Sequence, residues 1–178
     1  MAGRLPRLNQ VIRVYAVIAC LTYAWMIVGF LWKLPSWLHF LTVWEILSIL
    51  SYAFFETFIE SLLMLGLLVA ICLPLPPRFL RNDFATRGTW SAFVVIGAIV
   101  LLLKYSISIH LRLIVLFVAW SSLTLLAVLF FSFLSTRLRW LDSVASWVSD
   151  RLVVFLYILV PASLVSMLVV LVRNVVGV

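Results

Sequence analysis

Polar residues in this chain fall in short clusters, separated by apolar stretches about as long as a bilayer is thick. A spanning helix needs about 20 mostly apolar residues to cross about 30 Å of hydrocarbon. On that measure the pattern predicts transmembrane helices near residues 12–32, 48–73, 89–109, 112–134 and 152–172. The third is the weakest, because Lys104 interrupts it and its purely apolar part, "WSAFVVIGAIVLLL", is short. A four-span chain with 89–103 tilted or re-entrant is the competing pattern. The first run follows a basic lead and ends in "FLWKLPSW". A signal-peptide core is shorter, about 7–15 residues, and ends at a small-residue cleavage site, so a retained helix is expected.

Two connectors carry helical patterns of their own. In "PSWLHFLTVWEILSIL", Trp37, Leu38, Leu41, Trp44 and Ile46 lie near one another on a helical surface, which predicts an interfacial helix near 36–47. In "TRLRWLDSVASWVSDRL", the apolar positions Trp140, Leu141, Val144, Trp147 and Val148 predict an amphipathic helix over 137–151. Its arginines, Arg137, Arg139 and Arg151, would reach lipid phosphates. The loop around Pro74, Pro76 and Pro77 ends the second helix, since proline lacks the donor a continuing helix needs. Pro161 is expected to kink the last one. The whole chain, 1–178, reads as one all-α integral membrane domain: a bundle of about five transmembrane helices with two interfacial amphipathic helices.

Composition agrees. Of 178 residues 66% are hydrophobic and 11% charged, and the mean hydropathy is +1.27. That leaves too little polar surface to keep a domain of this size dissolved in water. The net charge of +7 would suggest nucleic acid in a soluble chain, but here the basic residues sit in the gaps between apolar runs. Nine of them precede helix 1 or lie in the second-to-third and fourth-to-fifth connectors: Arg4, Arg7, Arg13, Arg78, Arg81, Arg87, Arg137, Arg139 and Arg151. The other four, Lys33, Lys104, Arg112 and Arg173, fall on the opposite side. The positive-inside rule then places the N-terminus in the cytoplasm and the C-terminus outside, in a bacterial or archaeal plasma membrane. The expected partners are the bilayer and other membrane subunits, and no nucleic acid. Cys20 and Cys72 lie inside apolar runs and read as small hydrophobes.

Candidate chemistry sits in "SYAFFETFIESLLMLGLLVAICL", residues 51–73, where Glu56 and Glu60 lie one helical turn apart. On a wheel of about 100° per residue, Ser48, Tyr52, Glu56 and Glu60 all fall within about 60° of Glu45. This polar stripe is expected to face protein or water. Two acidic residues near mid-span cost roughly 5–7 kcal/mol, and the apolar residues of the segment return about as much. Helix 2 therefore needs compensation from its neighbours. Lys104 is the expected nearest basic partner, with Arg112 and Lys33 as further candidate counter-charges; Tyr105 and His110 lie close by in the sequence.

Three roles are open for the stripe. A Glu–Lys clasp would fix helix packing. A carboxyl pair would relay protons or cations, since one member holds a proton while the other is charged. Two glutamates with His39 or His110 would bind a metal for hydrolysis, but no HExxH motif supports this, and no metal or cofactor is expected. Ser121, Ser122 and Thr124 read as hydroxyls bonding between helices or back onto their own. The connectors are too small to hold a soluble catalytic site, so a non-enzymatic role is expected. The leading expectation is a small multipass subunit or scaffold that works through helix–helix contacts with partner membrane proteins. The alternatives are a small transporter or proton/cation-translocating protein using Glu56 and Glu60, and a lipid-linked membrane enzyme.

Overall fold

The computed structural model describes residues 7–72, 84–106, 113–137 and 139–176. Five helices account for nearly all of them: α1 (Leu8–Trp37), α2 (Val43–Cys72), α3 (Phe84–Ser106), α4 (Leu113–Arg137) and α5 (Arg139–Val176). Four segments, Leu8–Trp37, Val43–Ile71, Phe84–Leu103 and Trp140–Val175, are long and apolar enough to cross a membrane. The third, doubted on sequence because of Lys104, is among them. In α4 the described apolar stretch is Val118–Phe130.

Buried positions combine a small apolar core with many small or hydroxylated residues: Ala16, Ala19, Ala92, Ala145, Thr89, Ser61, Ser149 and Ser163. Large apolar side chains such as Leu63, Tyr157, Ile158 and Leu168 point outward. Lipid removes the drive to bury leucine, so helices associate through close backbone approach and interhelical hydrogen bonds instead. The protein is a helical membrane protein by this organisation.

Glycine sets one such approach. A Cβ on Gly88 would sit 2.8 Å from Cγ2 and 3.2 Å from Cγ1 of Val14, a fully buried residue. Only a residue without a side chain lets α3 lie this close to α1. Around this crossing Val14, Val17, Ile18, Phe84, Ala92 and Ile96 form the apolar core, with Met64, Leu65 and Leu68 of α2 packed against it.

Side-chain contacts fix the helix directions. Arg13 Nε lies 3.0 Å from Asp150 Oδ1, and the Thr86 hydroxyl donates to Asp142 Oδ1. The starts of α1, α3 and α5 therefore share one end of the bundle. At the other end the Tyr52 hydroxyl donates to Asn174 Oδ1 at 3.1 Å, which pairs the start of α2 with the finish of α5. Helices α1, α3 and α5 run one way and α2 runs back.

Neither expected interfacial helix stands alone. Residues 36–37 finish α1, residues 38–42 form a tight turn, and residues 43–47 open α2. The turn is held by Leu41 N–H donating to Trp37 O (2.8 Å) and Phe40 N–H to Trp37 O (3.1 Å). The Glu half of a capping box in "TVWE" fixes the start of α2: Glu45 Oε2 accepts both the Thr42 backbone N–H (2.7 Å) and the Thr42 hydroxyl (2.8 Å). The apolar cluster seen at Trp37, Leu38, Leu41, Trp44 and Ile46 thus comes from two helix ends meeting at a corner. Pro35 is tolerated in the last turn of α1.

The segment 137–151, expected to lie flat as a separate helix, does not stand alone: from Arg139 on it forms the first turns of α5, which runs on unbroken past Pro161 for 38 residues. That length is about 57 Å, well beyond the hydrocarbon thickness. Leu141, Ala145 and Ser149 follow at four-residue spacing and are buried in the bundle, and Trp90 Nε1 donates to Leu141 O at 3.4 Å. Packing on this inward stripe keeps the segment in line. Trp140 and Trp147 face outward, and the Arg151 guanidinium sits 5.2 Å from the Trp147 ring centre. The loop holding Pro74, Pro76, Pro77, Arg78 and Arg81, together with Arg4, Tyr105's side chain, His110, Arg112 and Val178, lies outside the described residues.

Candidate functional site

Helix α2 presents two polar stripes, and they meet different surroundings. Thr57 and Ser61 are buried, Ser61 beside Tyr15 of α1, whereas Glu56 and Glu60, one position earlier in each case, are exposed on the outer surface. The expectation that both glutamates face the bundle interior is therefore overturned. The reason is steric and electrostatic. A hydroxyl fits a close helix contact and satisfies itself on its own backbone: Thr57 Oγ1 donates to Ala53 O at 2.8 Å and Ser61 Oγ to Phe58 O at 2.8 Å. A carboxylate in the same place needs a buried cation or several donors.

The inward stripe leads to a chain of hydroxyls shared by three helices. The Tyr23 ring of α1 is 2% exposed and lies 5.3 Å from the Phe54 ring of α2, centroid to centroid. Its hydroxyl reaches Phe54 O at 3.3 Å and bonds to Ser163 Oγ of α5. Ser163 Oγ also lies 2.6 Å from Leu159 O, and the Tyr15 hydroxyl lies 3.4 Å from Ser61 Oγ. Each hydroxyl has a single hydrogen, so Tyr23 and Ser163 share two donors among the carbonyls of Phe54 and Leu159 and each other. Sequence reading passed over Tyr23. The usable signal was its position on a face of α1 made of Ala16, Ala19 and Cys20, where a small-residue surface marks a helix contact.

The other residues of the expected stripe are dispersed in role. Glu45 is consumed by the capping box at the start of α2, and Ser48 is half-buried. Tyr52 is bonded to Asn174. Lys33 is exposed near the end of α1, Lys104 belongs to α3 with its side chain outside what is described, and Arg112 is outside the described residues altogether. No cation among the described residues lies within ion-pair distance of Glu56 or Glu60. The main neighbours of α2 are α1 and α5, so the helix that carries Lys104 is not one of the two it packs against most closely. Among the described residues no three His, Cys, Asp or Glu side chains come together as a metal site.

What Glu56 and Glu60 do adjoin is a groove. It occupies 480 Å³ on the outer face of α2 and is lined by Ile59, Leu62, Leu63, Gly66, Leu67 and Ala70. A Cβ on Gly66 would meet no atom within 4 Å, so nothing in the bundle uses the absence of a side chain there. Glu56 lies about 20 Å along the axis from Val43, and Glu60 about 18 Å from Cys72. Both are in the middle of the span, on a side where the described residues supply no cover. No family model, no curated protein and no solved structure matches this chain.

Proposed function

We propose that this protein is a small multipass subunit or scaffold of a plasma-membrane complex, working through lateral helix contacts, with the outer face of α2 as its working surface. The observation that carries this reading is the exposure of Glu56 and Glu60 at mid-span beside a groove that ends in Gly66 and Ala70. Two acidic side chains left against lipid cost roughly 5–7 kcal/mol on the insertion scale. Cover by a partner helix removes that exposure. Proton or cation relay is less well supported, because the surface next to the carboxyls is apolar rather than a polar path.

In this reading five spans place the N-terminus in the cytoplasm and the C-terminus outside. The end that gathers Arg13, Arg87 and Arg151 faces the cytoplasm, in keeping with the nine-to-four distribution of basic residues.

Site-specific photocrosslinking in native membranes tests the proposal. A photoreactive residue at Leu63, on the α2 face, is expected to give one discrete adduct. The same probe at Tyr157, on the outer face of α5, is expected to give lipid adducts alone. Equal protein adducts from both faces, or none from Leu63, would remove α2 as the working surface.

A further inference from the structure

We infer that the outer face of α2 seats a partner's transmembrane helix that carries a lysine or arginine opposite Glu60, with its backbone crossing at Gly66 and Ala70. This rests on the proposed role of α2 as an interface and adds the chemistry of what it binds.

Charge selects the occupant. Glu56 and Glu60 stand one turn apart on the same exposed face, with no cation among the described residues within ion-pair distance. A second copy of this chain, packed on the same face, would bring four carboxyls together in a low-dielectric layer where like charges repel strongly. A lipid acyl chain offers nothing to a carboxylate. A basic side chain from another helix neutralises the pair and supplies donors to its oxygens.

Shape selects the crossing point. The chain itself shows what a bare glycine does in this fold: at Gly88 the missing Cβ is used by Val14, which comes within 2.8 Å of where that atom would be. At Gly66 the same kind of opening is empty, and Ala70 lies one turn further along the same groove. Small residues four apart are the surface over which membrane helices approach most closely, crossing at about 40°. Glu60 is six residues from Gly66, about 9 Å along the axis and about 120° round it, so it flanks the crossing line on one side. At that crossing angle the partner axis has moved aside by roughly 6–8 Å at the level of Glu60. The gap suits a long, flexible basic side chain and is too wide for a short polar one. Glu56, about 15 Å from the crossing, strengthens the field without needing direct contact.

The test uses the purified full chain in neutral phosphatidylcholine vesicles and fluorescently labelled model helices. Each probe is a Leu/Ala transmembrane peptide of about 22 residues with a Gly-xxx-Ala pair. A single Lys, Leu or Glu stands six residues from the pair. Energy transfer is expected to show the Lys helix binding at least about tenfold tighter than the Leu helix, and the Glu helix weakest. In Glu56→Gln/Glu60→Gln the Lys preference should vanish, while Gly66→Leu should weaken the Lys and Leu helices alike. Equal binding of the Lys and Leu helices to the unaltered chain overturns the inference, and needs no variant to fold. So does self-association that the Lys helix cannot displace. If Leu63 still crosslinks a protein in native membranes while the Lys helix shows no preference, the interface stands and its charge pairing falls. If Leu63 captures nothing, the interface itself falls, whatever the peptides do.

Discussion

The hydroxyl of Tyr23 meets that of Ser163 inside the bundle, joining α1 to α5 across 140 residues of chain. Tyr23 also reaches Phe54 O of α2, so one side chain ties three helices together. Each hydroxyl has a fallback. In Ser163→Ala, Tyr23 keeps Phe54 O; in Tyr23→Phe, Ser163 keeps Leu159 O at 2.6 Å. Each single change should therefore lower stability by only about 0.5–1.5 kcal/mol. The double change should lose less than the sum of the two. Tyr23→Ala also removes the ring packed on Phe54 and should cost about 3–5 kcal/mol. Thermal or denaturant unfolding in detergent measures all four, and strict additivity of the two mild variants would show that the hydroxyls do not interact.

Two glycines give a matched comparison. Gly88→Ala places a methyl against Val14, a β-branched, fully buried side chain with no room to turn. The expected loss is about 1–3 kcal/mol. Gly66→Ala meets nothing within 4 Å and should leave the isolated protein unchanged or more stable by up to about 1 kcal/mol, since alanine favours helix. Shrinking the neighbour, in Val14→Ala/Gly88→Ala, should relieve the clash of the first variant. Unfolding midpoints that fall equally for Gly66→Ala and Gly88→Ala would contradict this account of the α1–α3 contact.

These contrasts show what the sequence carries and what it leaves open. Apolar run lengths located the helices, because the bilayer sets that length whatever the neighbours are. They set residues 137–151 apart from the span that follows, whereas one helix runs from Arg139 to Val176. The inward packing of Leu141, Ala145 and Ser149 depends on surfaces supplied by other helices. Periodicity showed a polar stripe on α2 but not which way it points. The stripes Glu56/Glu60 and Thr57/Ser61 differ by a single step of about 100°, and in lipid both compete for the protein side. Thr57 and Ser61 win, because their hydroxyls close on their own carbonyls. The Thr42–Glu45 capping box was legible in "TVWE" and explains Glu45 without any role in an intramembrane stripe. That Val14 stands opposite Gly88 has no local signal at all.

The three glutamates of α2 should separate on mutation. Glu45→Ala removes the acceptor of the Thr42 N–H and hydroxyl and should cost about 0.5–2 kcal/mol, with faster amide exchange confined to the first turn of α2. Glu56→Gln and Glu60→Gln break no described contact and should leave the unfolding midpoint of the isolated protein within about 0.5 kcal/mol of the parent. A destabilisation by Glu60→Gln as large as that of Glu45→Ala would mean that Glu60 has an internal partner after all.

The contacts at the two ends of the bundle make a sidedness prediction. Arg13 with Asp150 and Thr86 with Asp142 gather at one end, whereas Tyr52 with Asn174 marks the other. The Arg13–Asp150 pair is about half exposed, so it adds only about 0–1 kcal/mol and serves here as a positional marker. Single cysteines in a background lacking Cys20 and Cys72 read the arrangement directly. Asn9→Cys and Ser143→Cys should react with a membrane-impermeant maleimide only after the cytoplasmic face is opened, because that end holds the arginine-rich starts of α1 and α5. Phe40→Cys in the α1–α2 turn and Val175→Cys at the finish of α5, both among the most exposed positions, should react in intact cells. The two pairs must separate. If Phe40→Cys labels with Ser143→Cys rather than with Val175→Cys, then α1 does not cross the bilayer. If the pairs separate with the faces exchanged, the bundle stands and the cytoplasmic assignment of the basic end is reversed.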